Sequence, residues 1–306
     1  MDAQRITVIV CTVGGRAEAL KRCFESLVKQ SRRPDEVVLV KGPGAENADD
    51  AIEYEGLVVT GVEQLNISAA RNAGVDAAGG DILAFIDDDA WAEADWLDKL
   101  IGPLEQEKIA AVGGKVLDGR CGDRPVAFLN GIVRLSGRQH DVEPEPQERN
   151  APAGPWYNRV LGCNFAVRRG PLEEVGRFDE YIEFAYDETD LAVRLIQGGW
   201  EVAHAPEAVV VHGWASGTHR SSDLDRNWYA EMKNQMYFGL KNRTGFLSAC
   251  RTIGRGFFRA IGLQLRFRSA CKRSLISERQ RDRFREDAIE GYRVGVRAGW
   301  RAGKRR

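Results

Sequence analysis

The sequence predicts an α/β protein, with a mostly parallel sheet flanked by helices and a basic α-helical C-terminal extension. Three observations carry this. Short β-branched runs alternate with stretches of helical period over the first hundred residues. One apolar strand pattern runs straight into Asp87-Asp88-Asp89. Residues 241–306 hold 19 Lys+Arg against 5 Asp+Glu, leaving 25 and 40 in residues 1–240, although the 306-residue chain has a formal net charge of only −1.

The elements follow in order. Ile6–Thr12 is a β-branched run of strand length that ends at Gly14-Gly15. Residues 17–30 place Leu20, Phe24, Leu27 and Val28 at helical spacing, and Pro34 breaks the chain before the buried-strand run 37–40. Residues 57–60 read as a third strand and 67–78 as a helix with small residues on one face. Residues 82–86 form a fourth strand, and 91–104 is expected to continue as a helix. In parallel sheets ligands sit beyond the carboxyl ends of the strands. The candidate site is therefore residues 12–16, 41–44 and 87–89. Four of the ten prolines crowd into 141–156, marking a long loop. A short apolar strand follows Gly162-Cys163-Asn164, a helix is expected over about 189–197, and Val209-Val210-Val211 is a buried strand ending at His212.

Several classes drop out. No run of 18 apolar residues occurs, so no membrane-spanning helix is expected, and the N-terminal apolar run is too short for a signal peptide. Cys11, Cys23, Cys121, Cys163, Cys250 and Cys271 are scattered without C-x-x-C spacing, which predicts reduced, mostly buried thiols in a cytosol and no zinc site.

Two acidic groups could carry chemistry. Three adjacent carboxylates at a strand end repel one another unless a cation neutralises them, and a hard divalent ion would do so. A solvated turn that caps the next helix is the alternative. Asp187, Glu188 and Asp190 open a second helix. One acid suffices for capping, so the surplus admits a general base. His212 completes a metal site if it faces the triplet, and is otherwise structural. In the stretch 66–74, Arg71 at a helix N-terminus reads either as a diphosphate contact or as the partner of a nearby acid.

Taken in order, six motifs resemble the inverting family-2 glycosyltransferases of GT-A fold over residues 6–216. They are S-A-A-R-N-A-G around Arg71, F-I-D-D-D-A, G-C-N-F-A-V-R-R from Gly162, G-R-F-D-E from Gly176, D-E-T-D-L from Asp187 and V-V-V-H ending at His212. The resemblance implies a nucleotide-sugar donor, a hydroxyl acceptor in a glycan or lipid-linked glycan, and a Mg²⁺ or Mn²⁺ cofactor. It implies Glu188 as general base with Asp187 as fallback, and Asp89, Asp87 and His212 at the metal. Thr12, Gly14, Lys41, Arg71, Asp87, Asp88 and Asn164 would contact the nucleotide sugar. Lys41 departs from the family's base-reading Asp, since a lysine cannot accept a hydrogen bond from a base N–H. It is expected to approach phosphate or a substituted sugar instead. The expected division is a catalytic domain at 1–240 and the extension at 241–306.

A haloacid-dehalogenase-type phosphatase also uses D-x-D after an apolar strand, but wants Thr or Val where this chain has Trp91. The extension admits several roles. On a helical wheel over 251–272, extended back to Phe246, the residues Phe246, Cys250, Ile253, Phe257 and Ile261 share a stripe opposite Arg251, Arg255, Arg259 and Arg266. A second helical segment is expected over 278–297. The stripe fits an anionic membrane surface or a packing contact better than nucleic acid, for which the body holds no recognised module. The expected location is cytoplasmic, peripheral on the inner face of the plasma membrane.

Overall fold

The computed structural model describes residues 4–50, 52–141, 149–214 and 227–303. Most of the proline-rich stretch falls outside them. The chain divides into two compact units. The first comprises Met1–Val133, Gln139–Glu183 and Asp187–Ala215, and the second Arg134–Arg138, Phe184–Tyr186 and Ser216–Arg306.

The first unit is built on β1 (Ile6–Thr12), α1 (Ala17–Val28), β2 (Glu36–Lys41), β3 (Leu57–Gly61), α2 (Ile67–Ala77) and β4 (Ile82–Asp87). The strand runs are buried on both faces, as strands sandwiched between helices must be. Beyond β4 come β5 (Ala90–Ala92), α3 (Trp96–Ile101), β6 (Ile109–Asp118), β7 (Val126–Phe128), β8 (Gly131–Val133), β9 (Gln139–Asp141), β10 (Tyr157–Arg159) and β11 (Asn164–Arg168). Then follow α4 (Arg169–Glu174), α5 (Asp187–Gln197) and β12 (Glu201–His212).

The main sheet has the order β3-β2-β1-β4-β11-β6-β12-β5, with β7 beside β6, while β10-β8-β9 form a small second sheet. Strands β3, β2, β1 and β4 are mutually parallel, as are β6 and β12. Between them β11 runs antiparallel to both neighbours. Apolar residues from β1, β2, β4, α1 and α3 form the core beneath the sheet, including Val8, Val10, Phe24, Leu39, Trp96 and Leu100.

Two expectations are corrected. The stretch 91–104 does not begin as a helix: Ala90–Ala92 pairs antiparallel with β12, setting His212 opposite Ala90, and α3 starts only at Trp96. Only Cys23 and Cys163 are buried; Cys11 and Cys271 are half-buried, and Cys121 and Cys250 are exposed.

The second unit holds α6 (Trp228–Lys241), α7 (Phe246–Lys272) and α8 (Glu278–Ala302). Gly291, Gly295 and Gly299 form a ridge on α8 against the backbone of α6. A Cβ at these positions would stand 2.3, 2.3 and 2.8 Å from the carbonyl oxygens of Tyr229, Lys233 and Tyr237. Through this contact α6 groups with the C-terminal helices α7 and α8. On α7 the buried face is Ala249, Thr252, Gly256, Ala260, Leu263, Phe267 and Ala270. The Phe246/Phe257/Ile261 stripe lies elsewhere on the helix and is exposed. Among the described residues no helix is long and apolar enough to cross a membrane.

Candidate active site

Parallel pairing of β1 with β4 sets Cys11 opposite Asp87, so the acidic turn emerges beside Thr12. The three carboxylates then separate. Asp88 turns inward, accepting from the Thr12 hydroxyl at 2.7 Å and from Arg16 Nη1 at 2.9 Å. Burial pushes its carboxyl up to about 6, against the opposing pull of Arg16 and Thr12. Arg16 also reaches Asp89 at 3.6 Å. Its Nε is buried with no hydrogen-bond partner among the described residues. The Asp87 side chain keeps 36% of its surface exposed, against 4% for Asp88 and 6% for Asp89, so Asp87 is the most open of the three carboxylates. Gly14, at φ +76°, lets the β1–α1 turn lie on the β2 turn. A Cβ there would come within 2.0 Å of the Gly44 carbonyl oxygen.

The end of β12 brings His212 to the same place. Its Nε2 is 3.3 Å from Asp87 and 3.4 Å from Asp89. Burial alone would raise the Asp87 carboxyl, but the hydrogen bond and charge of His212, with Arg71 and Arg16, hold it below the usual range. The Trp214 N–H donates to His212 Nδ1 at 3.0 Å. In the neutral imidazole that leaves the proton on Nε2, between the two carboxylates. Donor atoms of Asp87, Cys163 and His212 lie within 4.8 Å of one another. Burial, reinforced by Asp87 and Asp89, pushes the Cys163 thiol well up, which keeps it protonated and a poor ligand at neutral pH. The donor set therefore fits a hard divalent ion through the carboxylate oxygens of Asp87 and Asp89. His212 could join only with Nε2 deprotonated.

A second acidic pair stands opposite. Arg71 on α2 is buried and donates to Asp187 through Nη1 and to the Gly162 carbonyl at 3.0 Å through Nη2. It lies 3.9 Å from both Asp87 and Glu188. Burial disfavours its charge, but Asp187, Asp87 and Glu188 override this and keep it protonated. Burial raises Glu188 well above the usual carboxylate range, and the neighbouring Asp187 adds to the effect. Asp190, by contrast, is fully buried and bonded to Arg194 at 2.7 Å within its own helix.

The structure thus gathers Thr12, Arg71, Asp87, Asp88, Asp89, Asp187, Glu188 and His212. Two expected contacts point elsewhere. Lys41 Nζ is held by Asp49 at 2.7 Å and by the Glu46 carbonyl at 2.8 Å, on its own loop. Asn164 is fully buried. Its carbonyl accepts from Trp96 Nε1 at 2.8 Å, and its amide donates to Lys115 and Ala208 carbonyls at 2.9 Å each. Both of its polar ends are thus used to join β6, β12 and α3. Sequence reasoning missed Arg16 and Cys163 as individuals, although both lie inside segments it had marked.

Residues 7–176 match the profile of Glycosyl transferase family 2. The chain belongs to this family. Membership displaces the haloacid-dehalogenase alternative. A relative, the glucosyl-dolichyl phosphate glucuronosyltransferase of Haloferax volcanii, is 30% identical over 182 residues, 57% of this chain and 56% of its own length. The crystal structure of GalNAc-T7 with UDP, GalNAc and Mn²⁺ is similar with a TM-score of 0.60 at 19% identity, covering 78% of this chain and 48% of that one. The mannosyltransferase PcManGT from Pyrobaculum calidifontis, in complex with GDP-Man and Mn²⁺, gives 0.55 at 16% identity over 96% of this chain and 87% of its own. The family-2 chain described here thus spans about half the length of the first two of these proteins. Its fold is of the GT-A type that the motifs imply.

Proposed function

We propose that the protein is an inverting glycosyltransferase. It moves a sugar from a nucleoside-diphosphate donor to a hydroxyl of a glycan or lipid-linked glycan, in surface polysaccharide or lipid-linked oligosaccharide assembly. The observation that carries this is the arrangement around Arg71, which lies 3.9 Å from Asp87 on one side and bonds to Asp187 on the other. Carboxylates suited to a cation and a carboxylate suited to a proton thus share one site.

Asp87 and Asp89 would hold Mn²⁺ or Mg²⁺, which when bound offsets the charge of the departing nucleoside diphosphate. The Mn²⁺ bound in both solved neighbours, beside UDP and GalNAc in one and GDP-Man in the other, supports Mn²⁺. Thr12 and Arg16 keep Asp88 turned away, so the acidic turn presents two carboxylates rather than three. Glu188 removes the proton from the acceptor hydroxyl as that oxygen bonds the anomeric carbon. The anomeric bond to the diphosphate breaks in the same displacement, which inverts the carbon. Asp187 is occupied by Arg71, and this favours Glu188 as the base. The buried hydrogen bonds of Asn164 support a positioning role in place of a sugar contact. Catalysis is assigned to residues 1–240 and surface attachment to 241–306, with α6 a structural member of the second unit. The protein would work in the cytoplasm, peripheral to the membrane.

A thermal-shift screen of UDP-, GDP- and TDP-sugars, with and without Mn²⁺, tests the reading. One nucleotide class should stabilise the protein only when metal is present. Sugar transfer by Glu188→Gln at the wild-type rate would overturn the assigned base.

A further inference from the structure

The exposed apolar residues are not scattered. Of the eleven large hydrophobic side chains exposed among the described residues, six lie on α7: Phe246, Leu247, Phe257, Phe258, Ile261 and Leu265, with exposures from 41% to 72%. Their spacings of 4, 7 and 11 place them on one broad face at about 100° per residue. The packing needs of α7 are met on another face, where Ala249, Gly256, Ala260, Leu263 and Phe267 are buried. The helix is therefore apolar on two faces, and most of its large side chains are on the outer one.

Charge identifies what fits that face. Phe246–Lys272 contains no Asp or Glu and six cations, Arg251, Arg255, Arg259, Arg266, Arg268 and Lys272. The neighbouring α8 mixes five acids with seven arginines, so the absence of acids belongs to α7 and not to the whole unit. Arg251 continues the apolar face at one edge, while Arg268 and Lys272 close its C-terminal end. A second copy of the chain laid on this face would oppose like charges across the contact. A nucleic acid would answer the cations and leave the Phe and Leu side chains in water. An anionic lipid surface answers both, since headgroups meet the cations while the rings enter the acyl boundary.

We propose that the outer face of α7 is a membrane-docking surface for anionic lipid, with α7 lying in the plane of the interface. This does not depend on the sugar-transfer reading, because binding is measured without donor or acceptor.

The test is flotation of the full-length protein with vesicles of phosphatidylcholine alone or with 30% phosphatidylglycerol. The wild type should float with the anionic vesicles only. Phe257→Ser/Phe258→Ser should weaken binding by about tenfold or more, because partial burial of two rings is lost. Arg251→Gln/Arg268→Gln should weaken it further at low salt. All four positions are exposed, so the variants should melt like the wild type. Three outcomes would each overturn the proposal. The wild type could fail to float with anionic vesicles, or the double-Phe variant could bind as tightly as the wild type. The double-Phe substitution could instead convert a dimer to a monomer on light scattering while leaving flotation unchanged.

Discussion

Arg71 and Asp187 form an ion pair in which both side chains are nearly closed to solvent, at 5% and 3% exposure. The same guanidinium bonds the Gly162 carbonyl, so α2, α5 and the turn before β11 meet at one planar group. Removing it leaves Asp187 and Glu188 as adjacent buried acids with no cation between them. Arg71→Met is expected to cost about 3–5 kcal/mol in chemical denaturation, the range for breaking one side of a buried pair. Arg71→Lys should recover only part of this, because a point charge cannot serve the carboxylate and the carbonyl with a planar fork. A loss below about 1 kcal/mol for Arg71→Met would show that the pair does not organise the site.

Glu188 makes a pH prediction with a definite sign. A general base works only when ionised, and burial followed by the Asp187 charge raises Glu188 well above the usual range. The acid limb of kcat/KM should therefore lie above that of an ordinary glutamate. Asp187→Asn removes a like charge and leaves Arg71 beside Glu188, so the limb should move to lower pH. A limb that stays in place would assign it to another group.

The same shift has a stability consequence. The native state holds the Glu188 proton more tightly than the unfolded chain does. The stability this gives is complete below the unfolded pKa of about 4.3 and is lost as pH rises through the folded value. Glu188→Gln mimics the protonated form. It should melt no lower than the wild type at pH 8 while losing transfer activity. A lower melting temperature for this variant at pH 8 would contradict the raised proton affinity.

The acidic turn separates three neighbours by direction. Asp87 and Asp89 flank His212 Nε2, while Asp88 is bonded to Thr12 and Arg16. Mn²⁺ should raise the melting temperature of the wild type and of Asp88→Asn. Asp87→Asn and Asp89→Asn should each lose most of that rise. Equal losses in all three variants would mean that the turn binds the ion as a diffuse acidic patch.

The site was legible in the sequence to the extent that strand direction determines it. The run 82–86 is apolar and β-branched, so its carboxyl end, and with it Asp87, could be located by period alone. Asp187 and Glu188 stood out as more acids than a helix start needs. Long-range burial was not legible. Asn164 sits in a turn motif that reads as a pocket wall, but its neighbours Trp96, Lys115 and Ala208 lie 44 to 68 residues away in sequence. β12 was seen only from Val209 because Pro206 interrupts its first half. The chain tolerates that proline through an irregularity between Ala205 and Val209. The α7 stripe was found by period, but period cannot tell which of two apolar faces is buried.

The glycine ridge on α8 supplies a stability prediction with an internal control. Gly295 approaches the Lys233 carbonyl so closely that an added Cβ would stand 2.3 Å from it, and backbone cannot yield as a side-chain tip can. Gly295→Ala should therefore push α8 from α6 and cost about 1–3 kcal/mol, the range for overpacking. Gly254 and Gly262 lie within α7 with nothing inside 4 Å of an added Cβ. Alanine at either should raise stability by about 0.5–1 kcal/mol through helix propensity alone. Denaturation of the three variants separates the effects: the same substitution in neighbouring helices should change stability with opposite sign. If Gly295→Ala also stabilises, the close approach of α6 and α8 is wrong.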